Sequence, residues 1–204
     1  MSVSRLLKAA NSINRRNFSN DAKLWNLMSY RFFVPLQTRW RDTTGNGNLI
    51  DSVYYDTMIS VAQSFVSKFY DEKDTSHILT DNNYECREGI NYPETPLAGL
   101  GVTEVTGSRL KFAVGFFKPK TDLVEVDPTS IVNLNLHGNL LQADDVRKIA
   151  DHYDNEAAVL GYQATVIKSA AAEGIPLALE EGLKLIFING EYPANTIVNN
   201  SRNL

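Results

Sequence analysis

A single cysteine, Cys86, stands among 204 residues. That excludes an internal disulfide and a multi-cysteine metal site. Histidine is scarce as well. His77, His137 and His152 are the three in the chain, too far apart for zinc-ligand spacing. No apolar run approaches the roughly 18–20 residues of a membrane span. Basic charge is not in excess: the net charge is −4, which argues against nucleic acid as the main partner. Gly99-Leu100-Gly101 is not a phosphate loop, since no Lys-Ser/Thr and no helix start follows it. Acidic residues are missing from the first twenty positions, where Arg5, Lys8, Arg15 and Arg16 stand. Val3, Leu6, Leu7 and Ala10 fall on one helical face of that segment. This profile predicts a mitochondrial transit peptide over residues 1–18 and a matrix location. Arg16-Asn17-Phe18-Ser19 has the form of a mitochondrial processing site.

What remains is an ordinary globular composition, 43% hydrophobic and 22% charged. The length suits one domain with additions. The chain is organised around residues 39–70. Val34, Leu36, Thr38 and Trp40 alternate with Gln37 and Arg39, which predicts a short strand. Pro35 suits an edge or a strand start. A loop with Gly45 and Gly47 follows, and Asp51 stands where a helix N-cap is expected. Tyr54, Met58, Val61, Ala62, Phe65 and Phe69 then recur at spacings of three and four. A helix over 52–69 with one apolar face is predicted. Free amides at such a helix start can polarise a carbonyl or hold an anion.

Residues 40–55, WRDTTGNGNLIDSVYY, resemble the signature of the hot-dog fold thioesterases, the group that includes 4-hydroxybenzoyl-CoA and acyl-CoA thioesterases. That signature reads roughly W-x-D-x-D-x-x-G-H-V-N-N-x-V-Y-Y. Trp40, Asp42, Gly47, Val53, Tyr54 and Tyr55 match it. Thr44 takes the place of the acid that serves as nucleophile or base. Asn48 replaces the His, and Ile50 and Asp51 replace the Asn pair. Residues 91–117 resemble the second block, a corner at Tyr92-Pro93-Glu94 and two strands joined at Gly107-Ser108. Residues 182–190, GLKLIFING, resemble the last strand, with Leu185 and Asn189 replacing its usual His and Asp.

The resemblance implies an α+β hot-dog fold, a curved antiparallel sheet wrapped around the central helix. It places the hot-dog domain at 31–118 plus 179–192. The intervening 119–178 then reads as an α-rich insertion before the last strand, a cap or interaction module. Within it, Asp144 and Asp145 favour a helix start, and apolar spacing continues from Val146 to Ala171, with Gly161 as a dividing point. Residues 71–83 read as loop, and 84–91 as a strand with Cys86 as a core thiol.

The family's chemistry needs amides to polarise a thioester carbonyl and an acid to attack or to activate water. The resemblance assigns substrate contacts to Gly47, Asn48, Ser52 and Tyr55 at the helix start and to Gly107 and Ser108 in the turn. Thr44 cannot act as a base. Asp42 and Asp51 are the candidate replacements, each with a purely structural alternative: an extended loop position for Asp42, the N-cap for Asp51. Two functions follow. One is a mitochondrial protein that binds and hydrolyses acyl-CoA thioesters, with no cofactor beyond the CoA thioester itself. The other is a catalytically inactive hot-dog subunit of a larger assembly. A lone hot-dog sheet leaves strand edges uncovered, so a homodimer or a hot-dog heteromer is expected.

Overall fold

The structure, a computed structural model, describes residues 22–69, 75–120, 128–132, 139–169, 175–188, 190 and 192–193. The transit-peptide segment 1–18, His137 and most of the tail after Glu191 lie outside the described residues. The strands are β1 (Phe32–Pro35), β2 (Thr75–Cys86), β3 (Leu97–Thr106), β4 (Arg109–Phe117) and β5 (Val159–Ser169). They form one antiparallel sheet in the order β1-β3-β4-β5-β2. The helices are α1 (Ala22–Trp25), α2 (Asp51–Val66), α3 (Pro128–Ile131), α4 (Ala143–His152) and α5 (Leu177–Leu185).

The long helix α2 lies on one face of the sheet. Its apolar stripe of Tyr54, Met58, Val61, Ala62 and Phe65 is buried, as the three-and-four spacing predicts. These side chains meet Phe32, Leu100, Phe112, Val114 and Phe116 of the sheet in one core. A second core covers the other face. It joins Trp25, Leu27 and Tyr30 near the chain start to Val146, Ile149 and Tyr153 around α4, over Phe33, Ala113, Phe117 and Leu160. The sheet is therefore sandwiched between two helical layers.

That double burial explains the main correction to the sequence reading. Residues 146–171 are not one divided helix. They are α4, which starts at the expected acids Asp144 and Asp145, followed by β5. In β5, Val159 and Ile167 face the α2 core and Leu160 faces the other. A strand buried on both faces has apolar residues in continuous runs, and such runs also satisfy helical spacing. The segment read as an insertion thus contains a central strand of the main sheet. Tyr153, just past the end of α4, is fully buried.

The strand expected at 182–190 is also corrected. Residues 177–185 are α5, with Leu179 and Leu183 buried one turn apart. The chain beyond it still reaches the sheet. Ile188 N–H donates to Val102 O at 2.9 Å, and Val102 N–H donates to Ile186 O at 2.9 Å. This single parallel bridge, Val102 to Phe187, continues alongside β3 where β1 has ended.

Residues 75–83, read as loop, belong to the edge strand β2, whose run of Asp81, Asn82 and Asn83 conceals any alternation. Cys86 ends that strand exposed rather than in the core. The strand expected to reach Trp40 stops at Pro35, and Trp40–Asp42 form a 3-10 turn instead. The β3–β4 hairpin matches expectation, with Gly107 at φ 56° in its turn. Among the described residues no helix is long and apolar enough to cross a membrane.

Candidate functional site at the start of the long helix

The loop before α2 is a small closed structure. Thr44 N–H donates to Asn48 O at 2.7 Å, and Gly47 N–H donates to Thr44 O at 2.9 Å. The turn needs Gly47 at φ 84°, a backbone region that favours glycine. The loop is fastened to residues 90–92. Leu49 N–H donates to Ile90 O at 2.9 Å, and Tyr92 N–H donates to Gly47 O at 3.1 Å. Thr44 is exposed at the tip. The Asn48 side-chain oxygen lies over Gly89, 2.5 Å from where a Cβ there would sit.

The two carboxylate candidates differ. Asp42 ends the 3-10 turn. Its backbone oxygen accepts from Ile50 N–H at 3.0 Å, and its carboxylate lies 3.7 Å from Arg41 Nε. That is a loop-closing role. Asp51 was expected as the N-cap, but the N-cap is Ile50, which makes no side-chain capping bond. Asp51 is the first helical residue instead. Its Oδ1 accepts a hydrogen bond from the Tyr84 hydroxyl at 2.7 Å. The first-turn amides of Asp51 and Ser52 have no acceptor within the helix, because helix geometry supplies none there. A carboxylate and two amides that lack an intrahelical acceptor therefore share one helix end.

Tyr54 and Tyr55 flank Tyr84. Their ring centroids lie 5.1 and 5.4 Å from its own. Burial pushes the Tyr54 phenol up to about 12, against a lowering backbone hydrogen bond at Ile90. Burial, and then the hydrogen bond to Asp51 and its charge, push the Tyr84 phenol up. Both remain protonated donors at neutral pH. Burial, followed by the Asp51 charge, also raises the Cys86 thiol.

Asp51, Ser52 and Tyr55 are thus brought together, with Gly47 and Asn48 in the adjoining loop. Gly107 and Ser108 are not. Tyr84 pairs with Gly161, which pairs with Val114. The turn lies beyond Arg109, about 17 Å further along β4. Tyr84 is the site residue the sequence reading missed. Among the described residues no group of three or more His, Cys, Asp and Glu could hold a metal ion.

No protein-family model matches the chain, and no curated protein sequence does. Solved structures do. A protein from Pseudomonas aeruginosa superposes with a TM-score of 0.58 at 14% identity, over 82% of this chain and 98% of its own. A gentisyl-coenzyme A thioesterase gives 0.51 at 10%, over 74% and 98%. A thioesterase from Thermus thermophilus, solved with coenzyme A and zinc, gives 0.51 at 13%, over 78% and 95%. At such identities the likeness is one of architecture: the chain has the hot-dog fold, on the sheet-and-helix frame of the thioesterases.

Proposed function

We propose that the protein binds acyl thioesters, with coenzyme A esters as the expected form, and hydrolyses them using Asp51 in place of the acid missing at Thr44. The observation that carries this is the Asp51 carboxylate, hydrogen-bonded by Tyr84 at the start of α2, where the first-turn amides lack an intrahelical acceptor. In this reading the thioester carbonyl oxygen sits against the Asp51 and Ser52 amides, which stabilise the negative charge that develops on it. The Asp51 carboxylate takes a proton from water, and the resulting hydroxide attacks the carbonyl carbon. The tetrahedral intermediate collapses, the C–S bond breaks, and the thiolate leaves with the proton returned by Asp51. The fold's resemblance to a thioesterase solved with coenzyme A supports the choice of ligand.

Among the described residues no strand pairs with the outer edge of β2, and its Ile78 and Leu79 are exposed. An edge of that length invites a second copy or a related hot-dog chain, so we expect a dimer. A monomer by light scattering at micromolar concentration contradicts it. The acid-free basic segment at 1–18 supports mitochondrial targeting. Residues 1–30 fused to a fluorescent reporter should carry it to mitochondria, and a cytosolic reporter contradicts that.

The ligand is tested by titrating the purified full chain with a series of acyl-CoA esters while following loss of thioester absorbance. Binding with turnover supports the reading. Binding without turnover favours the inactive-subunit alternative. Absence of both removes the thioester reading altogether.

A further inference from the structure

The Asp51 carboxylate is held from outside its own helix. Tyr84 lies on β2, across the core from α2, and its hydroxyl occupies Oδ1 at 2.7 Å. Three contacts fix that hydroxyl. The Tyr84 backbone is registered opposite Gly161 of β5. The Tyr54 ring packs at 5.1 Å and the Tyr55 ring at 5.4 Å, tilted by 38° and 68°. Tyr54 is itself braced edge-on by Phe116 of β4 at 5.4 Å. Residues 51, 54 and 55 stand at i, i+3 and i+4, so the carboxylate and both clamping rings share one face of α2. The same helix therefore presents the acceptor and aligns its donor.

An aspartate in the first turn of a helix and exposed to water would otherwise sample several rotamers. A hydrogen bond from a fixed phenol selects one. It also leaves Oδ2 with its lone pairs for another donor. We propose that Tyr84 is the positioning residue for Asp51: it engages one carboxylate oxygen so that the other is aimed at the reacting water. This inference rests on Asp51 acting as the base. In this arrangement Tyr84 acts through Asp51. Its phenol, raised by burial and then by Asp51, stays protonated and donating across the neutral range.

A strut that only ties β2 to α2 would have the same geometry, so the test must separate the two roles. Tyr84→Phe keeps the ring and both aromatic contacts and removes the hydroxyl. In the full chain it is expected to lower kcat for acyl-CoA hydrolysis about tenfold, as for loss of a hydrogen bond to a charged group, with KM within about twofold. In an Asp51→Asn background the same change is expected to cost nothing further. A Tyr84→Phe enzyme with the kcat of the wild type overturns the proposal. So does a loss that persists in the Asp51→Asn background, which marks Tyr84 as acting independently of Asp51. If Tyr84→Phe melts well below the wild type, Asp51→Glu carries the test. It keeps a carboxylate but moves it past the hydroxyl, and an unchanged kcat overturns the proposal. If the wild type shows no turnover, or Asp51→Asn leaves turnover intact, the base assignment itself fails, and the positioning role fails with it.

Discussion

Met58 occupies the space that a side chain at residue 161 would need: its Sδ lies 1.8 Å from where a Gly161 Cβ would be built. The missing side chain in β5 lets α2 settle onto the sheet beside the Tyr84–Asp51 contact. The glycine is there for this close approach, not for an unusual φ.

Gly161→Ala should therefore overpack the interface, because the thioether and its Cγ, at 3.0 Å, must both give way. A loss of about 1–3 kcal/mol is expected by chemical denaturation. Met58→Ala is destabilising alone, through its cavity. Combined with Gly161→Ala, it should cost less than the two changes summed. Strict additivity in that double-mutant cycle contradicts the packing.

Elements with one buried face or a turn glycine were legible in the chain, and strands without either signal were not. Tyr54 to Phe65 show helical spacing because only one side of α2 is buried. The β3–β4 hairpin announces itself through Gly107. β5 is apolar on both faces, so its period is lost. β2 is an edge strand with polar residues at 80–83, so it has little apolar period to show. The candidate site was half visible for the same reason. Asp51 could be picked out from the helix start, although as a cap. Its partner Tyr84 depends on the β2–β5–β4 register, which is set by long-range pairing and leaves no trace in local spacing.

Cys86 offers an independent probe of the Asp51 charge. Its thiol is exposed, yet burial of the sulfur's surroundings and the Asp51 carboxylate raise it above its ordinary 9.0. Less thiolate is then present at pH 8 than in a free thiol, and alkylation by iodoacetamide should be slower than for a free thiol. Asp51→Asn removes the negative charge and should speed the reaction at that pH. Equal rates in the two proteins contradict electrostatic proximity of Asp51 and Cys86.

Lys118 fastens the segment that carries the loop's backbone partners. Its Nζ lies 2.5 Å from Glu88 Oε1 and 3.3 Å from Glu94 Oε1, and it donates to Gly89 O at 3.3 Å. Burial alone would lower the ammonium, but the hydrogen bond to Glu88 and the Glu94 charge outweigh it, so it is raised above 10.5. A raised folded-state value means its stabilisation is complete below the unfolded value and is lost as pH climbs through the folded one. Lys118→Met should cost about 1.5–3 kcal/mol at pH 8, the range for hydrogen bonds to charged groups. The gap to the wild type should narrow above pH 10.5. A gap independent of pH between 8 and 11 contradicts the ion pairing.

The central claim is that Asp51 supplies the base that the loop lacks at Thr44. Its most direct measurement is kcat for acyl-CoA hydrolysis by the wild type and by Asp51→Asn, on full-length protein with matched melting temperatures. The expected result is measurable turnover in the wild type and a fall of about 10²–10⁴-fold in the variant, with KM little changed. Turnover that survives Asp51→Asn, or a wild type that binds acyl-CoA without hydrolysing it, contradicts the claim.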